Sequence, residues 1–258
     1  MIGEALRSLF VLPVTRGLDI DDPRTTEVRR QVILEKRFLR RIYQEWYSEL
    51  AASAPSGEGA VLEIGSGAGF LSDLIPGLIT SDVLRCSGVD LVMDALQLPF
   101  EDGCLRAILM TNVLHHLPEP RRFFAEAARC VRPGGVVAMI EPWVSSWSRR
   151  AYALHSEPFL PEAQEWTLPS GGPLTGANGA LAWILFERDR AQFQAESLAW
   201  QIAQVRPMMP FRYLWSGGVS MRSLMPAWSF SAWRWVEKAL EPWMDLLAMF
   251  AFVSLRRR

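Results

Sequence analysis

Three glycines at alternate positions follow a run of strand-forming residues in the segment VLEIGSGAG, residues 61–69. Gly65, Gly67 and Gly69 permit positive φ angles and let backbone amides approach a ligand closely. In a parallel sheet, the turn after the first strand lies where ligands bind. A helix predicted to begin near Phe70 would point its N-terminal amides at the same place, which suits an anionic group. The segment therefore predicts a cofactor site.

The spacing of these glycines differs from that of two other glycine-rich loops. The dinucleotide fingerprint GxGxxG would need a glycine where Phe70 stands, and no Gly-Lys-Ser/Thr of a P-loop follows. The pattern is GxGxG, with Glu63 two residues before the first glycine. A dehydrogenase is therefore disfavoured.

The composition predicts a folded protein with no nucleic-acid partner. The chain has 258 residues, 50% of them hydrophobic, and a formal net charge of −1. This length can bury a core as one large domain or as a domain with an appendage. A balanced charge argues against disorder and against binding to phosphate backbones.

The cysteines and the apolar runs predict a cytoplasmic location. Cys86, Cys104 and Cys130 show no CxxC or Cys/His spacing, so we expect neither a disulfide framework nor a metal site. The first apolar stretch is too short for a secretory signal, and no window reaches the roughly 18 apolar residues of a membrane span.

Strands and helices are predicted to alternate between residues 59 and 143. Short apolar runs separated by helical or loop segments indicate an α/β fold with a parallel sheet covered on both faces. Apolar residues at three- and four-residue steps predict one amphipathic, arginine-rich helix over residues 25–53, and another helix begins at Pro120. We predict an N-terminal helical segment at 1–58, a core at 59–143, and an aromatic-rich elaboration at 144–258 that includes the closing strand or strands.

Four features of the core occur in a family-specific order: VLEIGSGAG, ITSDV, DALQLPFEDG, and AILMTNVLHHL followed by EAARCVRPGGVVAMIEP. Together they resemble the class I S-adenosylmethionine-dependent methyltransferases, particularly the group that includes ubiquinone- and menaquinone-biosynthesis enzymes. The resemblance covers residues 59–143. It implies a Rossmann-like, mostly parallel seven-stranded sheet and S-adenosylmethionine as the cofactor.

The resemblance also implies roles for particular residues in binding the cofactor. The glycine loop would contact its aminoacyl part, and Asp82 would accept from the ribose hydroxyls, with Asp90 as the rival. Asp94 and the amide of Ala95 would bind adenine. Because LRCSG leaves almost no room for the helix that the family usually has there, the adenine side is expected to be more open. The predicted cofactor-binding residues are Glu63, Gly65, Ser66, Gly67, Gly69, Asp82, Asp94, Ala95, Asn112 and Val113.

The histidines are the candidate catalytic groups. His115, His116 and His155 fall in or near segments that should face the transferred methyl group. An alcohol acceptor needs a base, and histidine is well matched to neutral pH. Glu141, after the fifth apolar run, is a further candidate because it could bind acceptor hydroxyls. The structural alternative is that the HHL pair turns the chain and that Glu141 satisfies nearby backbone amides.

The acceptor is predicted to be a small molecule held by the C-terminal portion. Ten of the eleven tryptophans lie from Trp143 onward, where they could stack on sugars, form a lipid tunnel, or pack as ordinary core. We favour O-methylation of a hydroxylated, glycan-like or lipid-linked metabolite; an isoprenoid or quinone ring is the alternative. A catalytically silent partner subunit is the alternative from another class. Arg212, Arg222, Arg234 and the last three arginines also make peripheral membrane contact a hypothesis.

Overall fold

A single seven-stranded sheet forms the centre of the molecule. The computed structural model describes residues 11–153, 157–168 and 171–258. The strands are β1 (Ala60–Ile64), β2 (Leu78–Asp82), β3 (Leu91–Val92), β4 (Leu105–Thr111), β5 (Val131–Pro142), β6 (Trp200–Met208) and β7 (Phe250–Arg257).

The sheet order is β3-β2-β1-β4-β5-β7-β6. The pairs among β1 to β5 are parallel, whereas β7 runs antiparallel to both β5 and β6. The predicted α/β, Rossmann-like, mostly parallel seven-stranded sheet is therefore confirmed. The C-terminal segment LAMFAFVSLRRR provides β7, as predicted, and Arg256 pairs within this strand rather than extending from it as a tail.

Helices and one-turn segments lie between the strands. The helices are α1 (Pro23–Glu35), α2 (Arg37–Ser53), α3 (Pro120–Cys130), α4 (Ser146–Tyr152), α5 (Leu181–Trp183), α6 (Arg190–Glu196), α7 (Arg212–Ser216), α8 (Phe230–Ala239) and α9 (Met244–Leu247), with a π-helical turn at Ile184–Arg188. No helix in the described ranges is both long enough and apolar enough to cross a membrane.

The long N-terminal helix predicted from residue 25 is two helices. Lys36 breaks it, because its ψ of 89° lies outside the helical region and its ammonium group donates 2.5 Å and 2.8 Å hydrogen bonds to the carbonyls of Gly218 and Met221. The break lets α1 lie over the glycine loop while α2 packs on the sheet. Sequence periodicity does not detect this, since the apolar spacing continues through Lys36.

The prediction of a helix that begins near Phe70 is wrong. The structure has a single 3₁₀ turn at Leu71–Asp73 there, and β2 begins at Leu78. Pro76 removes a backbone donor and Gly77 adopts a φ of +73°, so the segment turns back into the sheet instead of extending as a helix. The expected absence of a helix between β2 and β3 is confirmed.

Part of the aromatic-rich C-terminal segment packs against the N-terminal helices. Trp46 of α2 stacks on Tyr213 with ring centroids 5.6 Å apart and contacts Phe250 at 5.0 Å. Phe38 of the same helix meets Phe230 edge-on at 5.1 Å. These contacts join the N-terminal helices to the C-terminal elaboration across one face of the sheet, and the joined segments enclose the space above the strand ends.

Candidate active site

A cavity of about 570 Å³ opens at the carboxyl ends of β1, β2 and β4. Helix α1 forms one wall through Thr26 and Arg29, and residues 171–176 form another. The position is the one expected for ligands in sheets of this type, and the volume lies within the range of about 300–1,000 Å³ usual for small-molecule sites.

The first glycine of the loop is required by its backbone and by its neighbour. Gly65 has a φ of +75°, and a Cβ added there would overlap the side chain of Val113. Gly65, Gly69 and Val113 line the cavity, as does Asn112. The predicted contacts of these four residues with the cofactor are compatible with their positions.

The second and third glycines make room for protein side chains. A Cβ on Gly67 would lie 2.6 Å from Thr26 and 2.7 Å from Asp82, and one on Gly69 would overlap the Tyr47 hydroxyl. The N-terminal helices therefore rest directly on the loop. Sequence reasoning assigned Gly67 and Gly69 to the ligand alone and missed this packing role.

Glu63 and Ser66 lie beneath the loop and are not among the residues that line the cavity. Glu63 is 3% exposed. Its burial raises the pKa to about 7, although a hydrogen bond from Ser66 and the charge of Arg30 oppose the rise. Ser66 accepts the amide of Ser81 at 3.2 Å. Both residues are placed to support the loop from below.

Asp82 ends β2 and reaches the cavity wall. One carboxylate oxygen accepts the Gly67 amide at 3.0 Å and the other accepts the Leu84 amide at 2.9 Å. Burial raises the pKa of Asp82, opposed by these backbone hydrogen bonds. A carboxylate has about four acceptor positions, so each oxygen can still accept from a ligand hydroxyl.

The rival acid, Asp90, is bound elsewhere. Its carboxylate accepts from the amide and the hydroxyl of Thr80 at 2.9 Å and 2.8 Å, and it is not a lining residue. Asp94 and Ala95 do line the cavity. Asp94 accepts the Leu96 amide at 2.8 Å through one oxygen, which leaves its second oxygen for a ligand donor.

Asn112 and Thr111 form the wall at the end of β4. Asn112 has a φ of +57°, a left-handed conformation that a non-glycine residue rarely adopts and that clusters at functional sites. Its side chain hydrogen-bonds with Tyr43, a cavity residue from α2. The hydroxyl of Thr111 is buried and has no hydrogen-bond partner among the described residues. An unpaired polar atom in a cavity wall is consistent with a ligand site.

His115 and Glu141 form a buried pair in the cavity wall. Nδ1 of His115 lies 2.6 Å from Oε2 of Glu141, and the other oxygen of Glu141 accepts the amides of Val113 and Leu114 at 2.7 Å and 2.8 Å. Burial lowers the pKa of His115, but the charge and hydrogen bond of Glu141 and the charge of Glu157 outweigh it, so the pKa is raised. Of the two roles weighed for Glu141, the structure shows the satisfaction of backbone amides, and binding of acceptor hydroxyls stays a prediction. Glu141 also orients an imidazole, a role that sequence reasoning missed.

His116 stacks beside His115, with ring centroids 4.1 Å apart. Its Nδ1 is buried without a hydrogen-bond partner within the described ranges. Burial and the neighbouring His115 lower the pKa of His116 to about 2, although hydrogen bonds with the backbone of Gly176 and Leu174 oppose this. The ring is therefore neutral.

The remaining predicted catalytic residue, His155, lies outside the described residues. Its neighbour Glu157 lines the cavity, with one oxygen 3.9 Å from Nε2 of His115. His115, His116 and Glu157 each offer a ligand atom within 4.8 Å of the others and could hold a metal ion. Sequence reasoning predicted no metal site, because these residues lack a recognisable spacing.

Sequence reasoning also missed four other side chains of the cavity wall. Tyr43, Tyr152, Tyr213 and Arg29 all line it. The arginine-rich character of the first helix was the available signal for Arg29, and burial raises the pKa of the three tyrosines. No tryptophan is among the described lining residues.

The comparisons with known proteins agree with this fold. Residues 62–139 match the methyltransferase domain family. Geranyl diphosphate C-methyltransferase from Streptomyces coelicolor A3(2), solved with Mg²⁺, geranyl diphosphate and S-adenosyl-L-homocysteine, is 15% identical with a TM-score of 0.51, over 96% of this chain and 92% of that one. A geranyl diphosphate methyltransferase in complex with GPP and sinefungin is 17% identical with a TM-score of 0.50, over 89% and 83% of the two chains.

The fold and the matched domain are those of class I methyltransferases. The match covers residues 62–139, and the predicted enzyme class and S-adenosylmethionine cofactor are confirmed at this level. The narrower resemblance to ubiquinone-biosynthesis enzymes stays a prediction. The residues present fit the cofactor: a bare Gly65 backbone, two carboxylates at neighbouring strand ends and the unpaired Thr111 hydroxyl face one cavity.

Proposed function

We propose that the protein methylates a hydroxyl oxygen of a small, polar acceptor bound in the cavity beside His115. The observation that carries this proposal is the buried Glu141–His115 pair, whose free imidazole nitrogen faces Glu157 and the cavity. A carboxylate that orients an imidazole towards a reacting group is a recurrent arrangement for handling a proton. Methyl transfer to a carbon of an activated ring has less need of such a base.

The cofactor would be held by the strand ends. Asp94 and Ala95 would bind the adenine, Asp82 the ribose, and the loop at Gly65 and Gly69 the aminoacyl part. When bound, S-adenosylmethionine supplies an electrophilic methyl group. The methyl would pass to the hydroxyl oxygen with S-adenosylhomocysteine as the leaving group, and Nε2 of His115 would accept the hydroxyl proton.

The protein's own residues would position the acceptor and assist loss of the proton. Tyr43 and Asn112 fix one wall, and His115, His116 and Glu157 provide lone pairs on the other. Such assistance typically contributes about 10²- to 10⁴-fold in rate. A bound cofactor and acceptor would displace bulk water from the cavity and keep the reacting groups aligned.

Several polar side chains among the lining residues favour a hydroxylated acceptor. Tyrosine hydroxyls, Arg29 and Glu157 can pair with hydroxyl groups, and tyrosine rings can stack on sugars. An isoprenoid or quinone ring is the alternative, and the names of two structural neighbours that act on geranyl diphosphate favour its isoprenoid form. The tryptophans that motivated a lipid tunnel are not among the described residues that line the cavity. Trp166 and Trp200, for example, are buried in the core. A silent partner subunit is disfavoured because a bare loop, an open cavity and an oriented imidazole all coexist.

The proposal is tested by incubating the protein and isotopically labelled S-adenosylmethionine with an extract of the source cells. We expect mass spectrometry to reveal a metabolite that gains one labelled methyl on oxygen. The variant Asp94→Asn should abolish the labelling, and Asp90→Asn should preserve it. Label found on a ring carbon would reject O-methylation in favour of the isoprenoid or quinone alternative, and no labelled product would count against both.

A separate proposal concerns peripheral contact with an anionic membrane. Trp228 and Trp235 are 82% and 73% exposed, and Trp228 borders a groove lined by Arg37, Arg40 and Arg41. Aromatic and cationic side chains together suit an anionic lipid surface. We expect co-sedimentation with phosphatidylserine vesicles but not with phosphatidylcholine vesicles. Replacing Arg37 and Arg40 with Gln should remove it, whereas deletion of the last three arginines should not; equal binding of wild type and the double variant would reject the proposal.

A further inference from the structure

Three potential metal ligands converge in the cavity wall beside the proposed acceptor position. Nε2 of His115 lies 3.9 Å from Oε2 of Glu157, and one donor atom each from His115, His116 and Glu157 lies within 4.8 Å of the other two. Two imidazole nitrogens and one carboxylate oxygen form a donor set that suits divalent first-row transition metals.

Nδ1 of His115 makes the hydrogen bond that the non-ligating nitrogen of a histidine usually makes in a metal site. A histidine that ligates a metal almost always donates its other ring N–H to a carboxylate, a carbonyl or water, which fixes the tautomer and the ring orientation. Nδ1 of His115 meets Glu141 at 2.6 Å. Glu141 is itself held by the amides of Val113 and Leu114. This leaves Nε2, on the side of Glu157, as the lone pair available to a cation.

His116 presents a nitrogen that the protein leaves unsatisfied. Nδ1 is buried and lacks a hydrogen-bond partner in the part of the chain that the structure describes, although buried polar atoms are nearly always paired. The ring is held by hydrogen bonds with the backbone of Gly176 and Leu174. A bound cation would satisfy the nitrogen that is left over.

The charges around the cluster favour a cation. Glu157 contributes one carboxylate directly and Glu141 contributes another behind His115. Arg29 is the opposing positive charge on the cavity side. With both imidazoles neutral, as metal ligands must be, two carboxylates against one guanidinium leave the site net negative before a cation binds.

We propose that His115, His116 and Glu157 bind a divalent transition-metal cation, with Glu141 as the positioning residue behind His115. This inference rests on the proposed function, because it assigns to the same site the means of activating the acceptor. Three protein ligands leave coordination positions open for a hydroxyl oxygen. In the metal-bound protein the cation takes over from Nε2 of His115 the task of promoting loss of the proton. A cation acting as a Lewis acid lowers the pKa of a bound hydroxyl, so that the proton can leave to solvent while the imidazoles stay on the metal.

The test is isothermal titration of Zn²⁺ and of Mn²⁺ into the tag-free, chelator-treated full chain at fixed pH. We expect one ion per chain for at least one of the two metals. Glu157→Gln and His116→Asn should each weaken binding about tenfold or more, and Glu141→Gln by about 10- to 100-fold, the usual effect of removing a hydrogen-bonded carboxylate behind a ligand. Glu162→Gln is the matched control, because Glu162 pairs with Arg149 at the surface and should not change the affinity.

Thermal unfolding and S-adenosylmethionine titration of every variant show that the fold is retained. Wild-type affinity no better than that of Glu157→Gln would overturn the metal site. Full methyl transfer by metal-free enzyme would also overturn it and would leave the proposed function intact. Tight metal binding that depends on Glu157, in a protein that binds no S-adenosylmethionine, would reject the proposed function and leave the metal site standing.

Discussion

Glu141 is the next-to-last residue of β5. Its Oε2 lies 2.6 Å from Nδ1 of His115, in the turn that follows β4. The other oxygen of this carboxylate accepts the amides of Val113 and Leu114, which hold the turn directly after β4. One buried acid thus holds the turn after β4 and fixes the orientation of the His115 ring. This contact accounts for the structural interpretation of the HHL segment, and the catalytic interpretation stays a prediction.

Glu141→Gln is predicted to lower kcat about 10- to 100-fold while it leaves the Kd for S-adenosylmethionine nearly unchanged. The glutamine amide is uncharged and has one acceptor oxygen, so it cannot accept from the two backbone amides and the imidazole as the carboxylate does. The imidazole therefore loses its fixed orientation. Steady-state kinetics and calorimetry on the same preparation measure the two quantities, with Glu162→Gln as the control. Equal losses in cofactor affinity and kcat would instead indicate that the turn itself had collapsed.

Asp94→Asn is predicted to weaken S-adenosylmethionine binding at least about tenfold, or about 1.4 kcal/mol. One oxygen of Asp94 already holds the Leu96 amide, and replacing the other with a donor removes the acceptor for the adenine amine. Asp90→Asn is the matched control, because Asp90 binds Thr80 instead of lining the cavity. A greater loss for the Asp90 variant would reverse the assignment.

Gly65→Ala is predicted to destabilise the fold by more than Gly103→Ala does. Both glycines have a positive φ, +75° and +67°, but a Cβ would overlap Val113 only at Gly65 and would meet nothing within 4 Å at Gly103. The left-handed conformation alone costs about 1–2 kcal/mol, so Gly103→Ala should lose that amount and Gly65→Ala about 1–3 kcal/mol more. Urea denaturation measures both, and Val113→Ala should recover part of the excess. Equal losses would show that crowding is unimportant.

The buried Glu63 predicts a pH dependence of stability. Its folded pKa of about 7 exceeds the ordinary glutamate pKa of 4.5, so the folded state retains a proton that the unfolded state releases between these values. The stabilising contribution is complete below pH 4.5, falls as the pH rises, and is lost above pH 7. The total is at most about 3 kcal/mol. Glu63→Gln should therefore gain stability relative to the wild type between pH 4.5 and 7.5 in urea denaturation, and parallel curves for the two proteins would contradict the buried-acid account.

Arg212 is predicted to be structural and not a membrane contact. It is buried, with its guanidinium 2.5 Å from Glu237 and 2.7 Å from Glu45. Breaking a buried ion pair costs about 3–5 kcal/mol because the partner is left uncompensated. Arg212→Met should lower the free energy of unfolding by that amount, and Arg222→Met, at an exposed position, should change it by less than about 0.5 kcal/mol. A small loss for Arg212→Met would place the residue outside the core.

The strands and the cofactor end of the site could be predicted from local sequence, because strand-forming runs and a glycine loop are short-range signals. The pairing of His115 with Glu141 could not, since it joins residues from two strands that only the sheet order brings together. The same holds for Arg29 and Tyr213, which reach one cavity from opposite ends of the chain. The helix predicted after Phe70 shows the limit of reasoning from motifs. A glycine loop of this type usually precedes a helix, but here Pro76 and Gly77 turn the chain into β2. The predicted domain bounds and the predicted oxygen acceptor stay predictions.

The central claim is that the cavity above β1, β2 and β4 binds S-adenosylmethionine. Calorimetric titration of the wild-type chain with S-adenosylmethionine, with NAD as the control, tests it directly. We predict one S-adenosylmethionine bound per chain and no binding of NAD. Heat from NAD but none from S-adenosylmethionine would contradict the account.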